Sequence, residues 1–370
     1  MCEKLVIDIA EVARQDPQSF TTVMGPRASV IRFLNRLPSF AAYERYDLSA
    51  WEARLIDLAE LDGSVGELFR RDEAPAVGVV THSADARFCV AADLQAELMV
   101  GPAAGDVDPM PELLCEPGFR FAGAASGVLP TLDPAKVTQV VASAPAIAAT
   151  DKAAGRRVAL LDTGLLTTSH PMIDFVDSFK LGVRSLSGDD PHGHGTAVAE
   201  ILLATQPAAD IRAVRVLNDQ NRGASYEVFA GLEYAFWSGQ FDIVNASLTT
   251  DTSGLCETSL GRSVDYLYSY CRANASFPVP MIVAAAGNDG PKKSSGYPAN
   301  LRGAVVAQAI DANNVPENYN STLPPNSIVR SAFGGSDRDQ LGYTQPPNQA
   351  AQPLWGTSFA AAAVTGAYLP

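Results

Sequence analysis

Four short stretches carry side chains with complementary chemistry. "VALLDTG" closes an apolar run with Asp162, and "GHGTAVA" opens a helical pattern with His194. "VAAAGNDG" closes another apolar run with Asn288, and "WGTSFAAAAVTGAYL" places Ser358 where a turn gives way to an alanine-rich helix. Together they suit acyl transfer. A serine hydroxyl is a weak nucleophile until a neighbouring base takes its proton. An imidazole titrates near neutral pH and can be that base. A buried carboxylate holds the ring in one tautomer and stabilises its charged form. A carboxamide, with the serine's own backbone N–H, can donate to a developing oxyanion. A serine at a helix N-terminus also gains from the helix dipole.

The stretch "DDPHGHGTAVAE" raises two other chemistries. His192 and His194 stand two residues apart, a spacing that does not share a helix face. His170 is the only other histidine in this part of the chain. No metal site is therefore expected, and Asp189 and Asp190 read as a charged loop rather than cation ligands. A phosphate loop would need its lysine, which this stretch lacks.

Elements must hold these residues in place. Buried-strand runs are "RVALLD" (157–162), "DIRAVRVL" (210–217), "FDIVNASL" (241–248), "PMIVAAAG" (280–287) and "AVVAQAI" (304–310). Helical stretches at 195–205, 225–239 and 263–274 lie between some of them. Continuous apolar strands separated by helices predict an α/β fold, a parallel sheet covered on both faces. In such sheets function gathers at the carboxyl ends of the strands. Earlier in the chain, Ser49 and Glu52 in "LSAWEARLIDLAELDG" have capping-box spacing and predict a helix that Gly63 stops. "PAVGVVTHS" and "RFCVAA" read as strands and "DLQAELM" as a helix, so a smaller mixed α/β domain comes first. A Pro-, Gly- and acid-rich texture after about residue 100 puts the boundary between 125 and 150. This gives an N-terminal domain at 1–140 and a second domain at 141–370.

The bulk numbers exclude several classes. Hydrophobic residues make up 47% and charged residues 18% of the 370, a globular composition. The net charge of -14 and the lack of Lys/Arg clusters argue against nucleic acid as a partner. No run is long and apolar enough to span a membrane. The N-terminus lacks the basic start and greasy core of a secretory signal. Five scattered cysteines show neither CxxC spacing nor a dense disulfide framework. A reducing, cytoplasmic setting is expected, and the sequons at Asn245, Asn274 and Asn320 then read as chance.

The four motifs, in the order Asp162, His194, Asn288, Ser358, resemble those of the subtilisin-like serine proteases (subtilases) over roughly 140–370. "GASYEVFAGLEYA", "NASL" and "SGYPANLRGAVVAQAID" also resemble family segments. The resemblance implies a subtilisin-like fold and a serine endopeptidase working through an acyl-enzyme. His194 would be the base, Asp162 its orienting partner, Ser358 the nucleophile and Asn288 the oxyanion donor. His192 falls where the family tolerates other polar residues and reads as a solvated loop histidine. Ser247, Leu248 and Thr249 resemble the segment that pairs with substrate backbone and lines one wall of the specificity pocket. Ala286 and Gly287 are expected to bind substrate with them, and Gly296 resembles the pocket floor. Thr249 stands where the family commonly has glycine. Its branched side chain either narrows the pocket mouth, favouring apolar or medium side chains, or points away.

The resemblance implies protein or peptide substrates, no required cofactor, and a structural calcium that the scattered acids do not locate. It also implies control by the N-terminal domain, as a removable inhibitory segment or as a permanent module that meets a regulatory partner. Ala362 departs from the family, which usually has proline there. Pro370 follows Ser358 closely where the family continues, so either a trimmed chain or a minimal variant is expected. The rival reading is a catalytically silent subtilisin-fold binding or regulatory module. A lipase or esterase is disfavoured because no G-x-S-x-G elbow surrounds Ser358.

Overall fold

In the computed structural model the described residues are 18–36, 52–56, 67, 69–83, 114–117, 120–122, 130–166, 173–180, 183–186, 190, 192–218, 221–250, 267–268, 271–273, 278–344 and 351–370. The chain divides into two compact units. One comprises Met1–Phe119 with Leu255–Tyr270, the other Arg120–Gly254 with Cys271–Pro370.

In the first unit, strands β1 (Gln18–Pro26), β2 (Glu52–Ile56), β3 (Pro75–Ser83) and β4 (Leu114–Pro117) form an antiparallel sheet in the order β2-β3-β1-β4. Helix α1 (Arg27–Arg36) buries Val30 and Phe33, and the strands bury Val23 and Val77. A Cβ on Gly78 would meet Leu34 Cδ1 and Val30 Cγ1 at 3.1 Å, so the helix rests directly on β3. The strand expected at 75–83 is there. Of the helix expected from Ser49, only residues 52–56 are among the described residues, and these are strand. Residues 52–56 instead pair with β3, from Glu52 opposite Thr81 to Ile56 opposite Val77. A helix cap stabilises by about 1 kcal/mol. Closing the open edge of β3 with a ladder of backbone hydrogen bonds outweighs that local preference. The expected strand "RFCVAA" and helix "DLQAELM" lie outside the described residues.

The second unit is built on an eight-stranded sheet. After β5 (Arg120–Ala122) and β6 (Pro130–Leu132), which with β11 (Arg222–Ala224) and β13 (Thr249–Thr250) lie outside this sheet, its strands are β7 (Arg157–Asp162), β8 (Ile173–Lys180), β9 (Val183–Leu186), β10 (Asp210–Arg215), β12 (Ile243–Ala246), β14 (Met281–Ala285), β15 (Val305–Ile310) and β16 (Ile328–Phe333). The order is β16-β15-β14-β12-β7-β10-β8-β9, parallel except for the antiparallel pair β8–β9 at one edge. The five runs read from the sequence are the five adjacent central strands. Strands covered on both faces need continuous apolar runs, and β12 is buried along its whole length. The outer strands β8, β9 and β16 carry interspersed polar residues, so their sequences do not announce them.

Helices cover the sheet: α2 (Pro134–Ser143), α3 (His194–Thr205), α4 (Ser225–Trp237) and α5 (Thr357–Tyr368). In the stretch read as helix at 263–274, Leu267, Tyr268 and 271–273 are helical and the rest lies outside the described residues. Helix α5 runs unbroken through Ala362 and is buried from Thr357 to Gly366, which explains its run of alanines. Small side chains let a helix sit close to its neighbours: a Cβ on Gly366 would lie 2.7 Å from Thr205 Cβ of α3. Among the described residues no helix is long and apolar enough to cross a membrane.

Strand pairing brings the motifs level. Ala246 of β12 lies opposite Leu161 of β7 and Ala284 of β14. The next residues, Ser247, Asp162 and Ala285–Asn288, therefore emerge at the same end of three adjacent strands.

Candidate active site

Asp162 is the last residue of β7 and is held from behind. Its carbonyl accepts from Val216 N at 3.0 Å and Leu217 N at 3.2 Å. Its Oδ1 accepts from Thr163 N at 2.7 Å and lies 2.6 Å from His194 Nδ1. Both side chains are completely buried. Two glycines allow the approach. Gly193 caps α3 in a left-handed conformation (φ 81°), which L side chains rarely adopt. A Cβ on Gly195 would sit 2.2 Å from Gly164 O and 3.2 Å from Asp162 Cβ, so only glycine lets the start of α3 press on this turn.

Burial disfavours a charged His194 ring, but the facing Asp162 carboxylate and the nearby Asp190 outweigh it. The imidazole pKa therefore lies above its ordinary value. Asp162 Oδ2 and His194 Nε2 are buried without a hydrogen-bond partner among the described residues. Leaving such atoms open costs about 1–3 kcal/mol each, and groups of this kind gather at functional sites.

Ser358 is the second residue of α5, after Gly356 (φ 132°), whose N–H donates to Gly334 O. Its Oγ donates to Ser247 O at 3.0 Å, and Ser247 Oγ lies 3.0 Å from Ser358 O. The hydroxyl is thus turned to Ser247 and not to His194. The two helix starts nevertheless meet, since the Phe359 ring lies 5.9 Å from the His194 ring. Asn288 is oriented by Thr357, whose backbone N–H and Oγ1 both donate to Asn288 Oδ1 at 2.9 Å. That arrangement leaves Nδ2, the donor side of the amide, beside Gly356, where an added Cβ would be 2.7 Å away.

The remaining predicted residues flank this centre. Leu248 is buried, and Thr249 begins β13 (Thr249–Thr250). Ala286 N donates to Ala307 O at 3.0 Å, and Gly287, at φ 100°, donates to Thr357 Oγ1 at 3.1 Å. A Cβ on Gly287 would lie 3.8 Å from Thr249 Cγ2, so the Thr249 methyl faces Gly287. Gly296 is buried in the turn before Tyr297–Pro298, and its carbonyl accepts from Asn300 N.

Two expectations are corrected. His192 is not solvated: it is buried, its ring 6.3 Å from that of His194. Burial, then the neighbouring His194, lowers its pKa to about 3, so it stays neutral. Asp190 is not part of a charged surface loop. It is buried and accepts five hydrogen bonds, among them one from His192 N, which draws that loop inward. Asp189 and His170 lie outside the described residues, among which no group of three or more His, Cys, Asp or Glu could hold a metal. The sequon residues Asn245 and Asn320 use their amides internally, on Thr365, Ala309 and Glu317. Cys271 is a buried free thiol whose pKa is raised by burial and by Glu233.

Sequence reasoning missed the threonines. Three of the four motifs carry one: Thr163 after Asp162, Thr196 after Gly195, Thr357 before Ser358. Their hydroxyls bind Asp190, Asp190 and Asn288. The signal was present in the repeated D-T-G, H-G-T and G-T-S triplets.

A parallel sheet with carboxylate, imidazole, serine and carboxamide at its carboxyl edge defines a serine hydrolase site. Residues 153–369 match the model of the subtilase family, peptidases of class S8. The chain belongs to the subtilase family, and by family it is a subtilisin-like serine protease. It is 30% identical over 206 residues to "Thermostable alkaline protease" of Halalkalibacterium halodurans, covering 51% of this chain and 53% of that protein. It is 29% identical over 232 residues to Subtilisin DY of Bacillus licheniformis (58% of this chain, 76% of the relative). With Thermitase of Thermoactinomyces vulgaris it shares 30% over 232 residues (57% and 73%). The match thus spans about half the length of the alkaline protease.

The tight packing at Gly195 yields a prediction. Gly195→Ala forces a methyl against Gly164 O, which should move His194 away from Asp162. Its destabilisation should be about 1–3 kcal/mol, and the His194 pKa should fall as the carboxylate recedes. Thermal unfolding and histidine NMR titration measure the two effects.

Proposed function

We propose that this chain is an endopeptidase in which His194 takes the proton of Ser358 as it attacks a peptide carbonyl. The observation that carries the reading is the buried 2.6 Å contact between Asp162 Oδ1 and His194 Nδ1, beside a serine at the start of α5. Asp162 holds Nδ1 protonated, which leaves Nε2 as the base. Proton transfer requires Ser358 Oγ to exchange Ser247 O for His194 Nε2, a turn about χ1 between staggered wells. Catalytic hydrogen bonds are often loose before substrate binds. The Ser358 amide and Asn288 Nδ2 then hold the oxyanion. His194 returns the proton to the leaving amine, and water releases the acyl group.

The reading predicts that Ser358→Ala and His194→Ala each lose roughly four to six orders of magnitude in kcat, and Asn288→Ala about 10²–10³. A fluorophosphonate should label the wild type at Ser358 and leave Ser358→Ala unlabelled. Because the His194 pKa is raised, the acid limb of kcat/KM should have its midpoint above about 6.5. Absence of both labelling and turnover would favour the catalytically silent binding module.

Substrate is bound as a strand. The support comes from the chain itself. β5 (Arg120–Ala122) is the middle strand of a three-stranded sheet, antiparallel to β11 (Arg222–Ala224) on one side and β13 on the other. β13 begins two residues after Ser247, whose carbonyl holds the Ser358 hydroxyl. Extended peptides bind between such strands through main-chain hydrogen bonds. Arg120–Ala122 directly follows the first unit in sequence, so this strand occupies a place where a peptide substrate would lie and restrains activity. Proline is excluded from central strands, so Ala122→Pro should raise the labelling rate of Ser358 several-fold. An unchanged rate would show that β5 does not restrain the site, and intact mass in the same experiment reports any cut near it.

Selectivity is assigned to Ser247–Thr249 and Ala286–Gly287, with Gly296 as the floor of the pocket. The Thr249 methyl facing Gly287 narrows the space between these walls, which favours apolar side chains of small to medium size before the scissile bond. Thr249→Gly should improve kcat/KM for aromatic over alanine peptides by about 10-fold, the scale of one or two methylenes in an apolar pocket. An unaltered ratio would place Thr249 outside the pocket.

A further inference from the structure

Asp190 accepts five hydrogen bonds that converge from two loops. Thr163 Oγ1 donates to Oδ1 at 2.8 Å, joined there by Gly193 N at 2.7 Å and His192 N at 3.3 Å. Thr196 donates twice to Oδ2, from N at 2.8 Å and from Oγ1 at 2.7 Å. Five donors and no acceptor complement a carboxylate. The side chain is buried, so these bonds are shielded from competing water. The network continues outward through the two hydroxyls. Thr163 Oγ1 accepts from Gly195 N at 3.0 Å, and Thr196 Oγ1 accepts from Leu166 N at 3.1 Å. The residue that follows Asp162 is therefore tied to both sides of His194, and the turn after β7 is tied to the first turn of α3.

We infer that Asp190 is a positioning residue: its carboxylate clamps the turn after Asp162 to the start of α3 and so fixes the Asp162–His194 contact on which proton transfer depends. The inference rests on the endopeptidase reading. Asp190 touches neither reacting atom. It works through Thr163, Gly193 and Thr196. It also adds a second negative charge near His194, after that of Asp162, with His192 a neutral neighbour. Burial raises the Asp190 pKa, and the donors from Thr196, Thr163 and Gly193 oppose that.

Asp190→Asn keeps the shape, removes the charge and turns an amide N–H toward groups that are themselves donors. In the full chain it should lower kcat by roughly 10- to 100-fold, the scale of a small misplacement of catalytic groups. KM should stay within about two-fold, because no substrate contact is lost. The His194 titration, followed by NMR, should move to lower pH. A merely structural role would lower the unfolding temperature and leave kcat and the His194 titration in place, and that result overturns the inference. If Asp190→Asn does not fold, Thr163→Val and Thr196→Val decide. Each removes one hydroxyl link and should lower kcat several-fold at constant KM, and full activity in both overturns the inference. The NMR titration keeps the two readings apart. A wild type without fluorophosphonate labelling would sink the endopeptidase reading, while the His194 shift on Asp190→Asn still tests the clamp.

Discussion

The contact between Asp162 and His194 is the constraint around which the second unit is arranged. Two ionisable side chains meet with no exposed surface on either. Burying a charge is expensive unless it is paired and hydrogen-bonded, and a pair that lost one member would leave the other stranded. The surroundings must therefore hold the two groups within hydrogen-bond distance at all times. The strand end, the glycines and the buried carboxylate of Asp190 all serve that end. Strand β7 sits at the middle of the sheet, between β12 and β10, and Asp162 is pinned through its carbonyl by Val216 and Leu217. Helix α3 is free to approach because Gly195 offers no side chain to the turn.

Hydroxyls do the fastening. Thr163, Thr196 and Thr357 each accept one backbone N–H and donate to an acidic or amide oxygen. Each hydroxyl thus joins segments distant in the chain, and each is buried. Satisfied polar networks in a low-dielectric interior rigidify what they join. Helix α5 is held in the same manner, since Ser358 exchanges hydrogen bonds with Ser247 through both side chains and backbone carbonyls. A neutral His192 next to His194 fits this logic. A second positive charge there would compete for the carboxylates, and burial keeps the ring uncharged near neutral pH.

In the proposed function a separate three-stranded sheet supplies the place for peptide. β11 and β13 leave a slot one strand wide, and β5 fills it. Main-chain pairing would make that slot tolerant of sequence, and the proposed selectivity then rests on the few side chains near the serine, with Thr249 facing Gly287.

The sequence by itself determined the four candidate site residues and the five central strands. Asp162, His194, Asn288 and Ser358 each stand in a short local motif at the end of an element, where type and neighbours can be read without knowing the fold. The central strands are covered on both faces, so they are written as unbroken apolar runs. Only the tertiary structure decided the rest. The capping pattern at Ser49 and Glu52 is local, and it yields to the backbone ladder that β3 offers to residues 52–56. Asp190 and His192 read as polar loop residues because their burial comes from Thr163 and from the first turn of α3, which the sequence does not place beside them. The direction of the Ser358 hydroxyl depends on a carbonyl 111 residues away. In each case the deciding partner is remote in the chain, and a hydrogen bond or a buried charge chooses its partner by proximity in space.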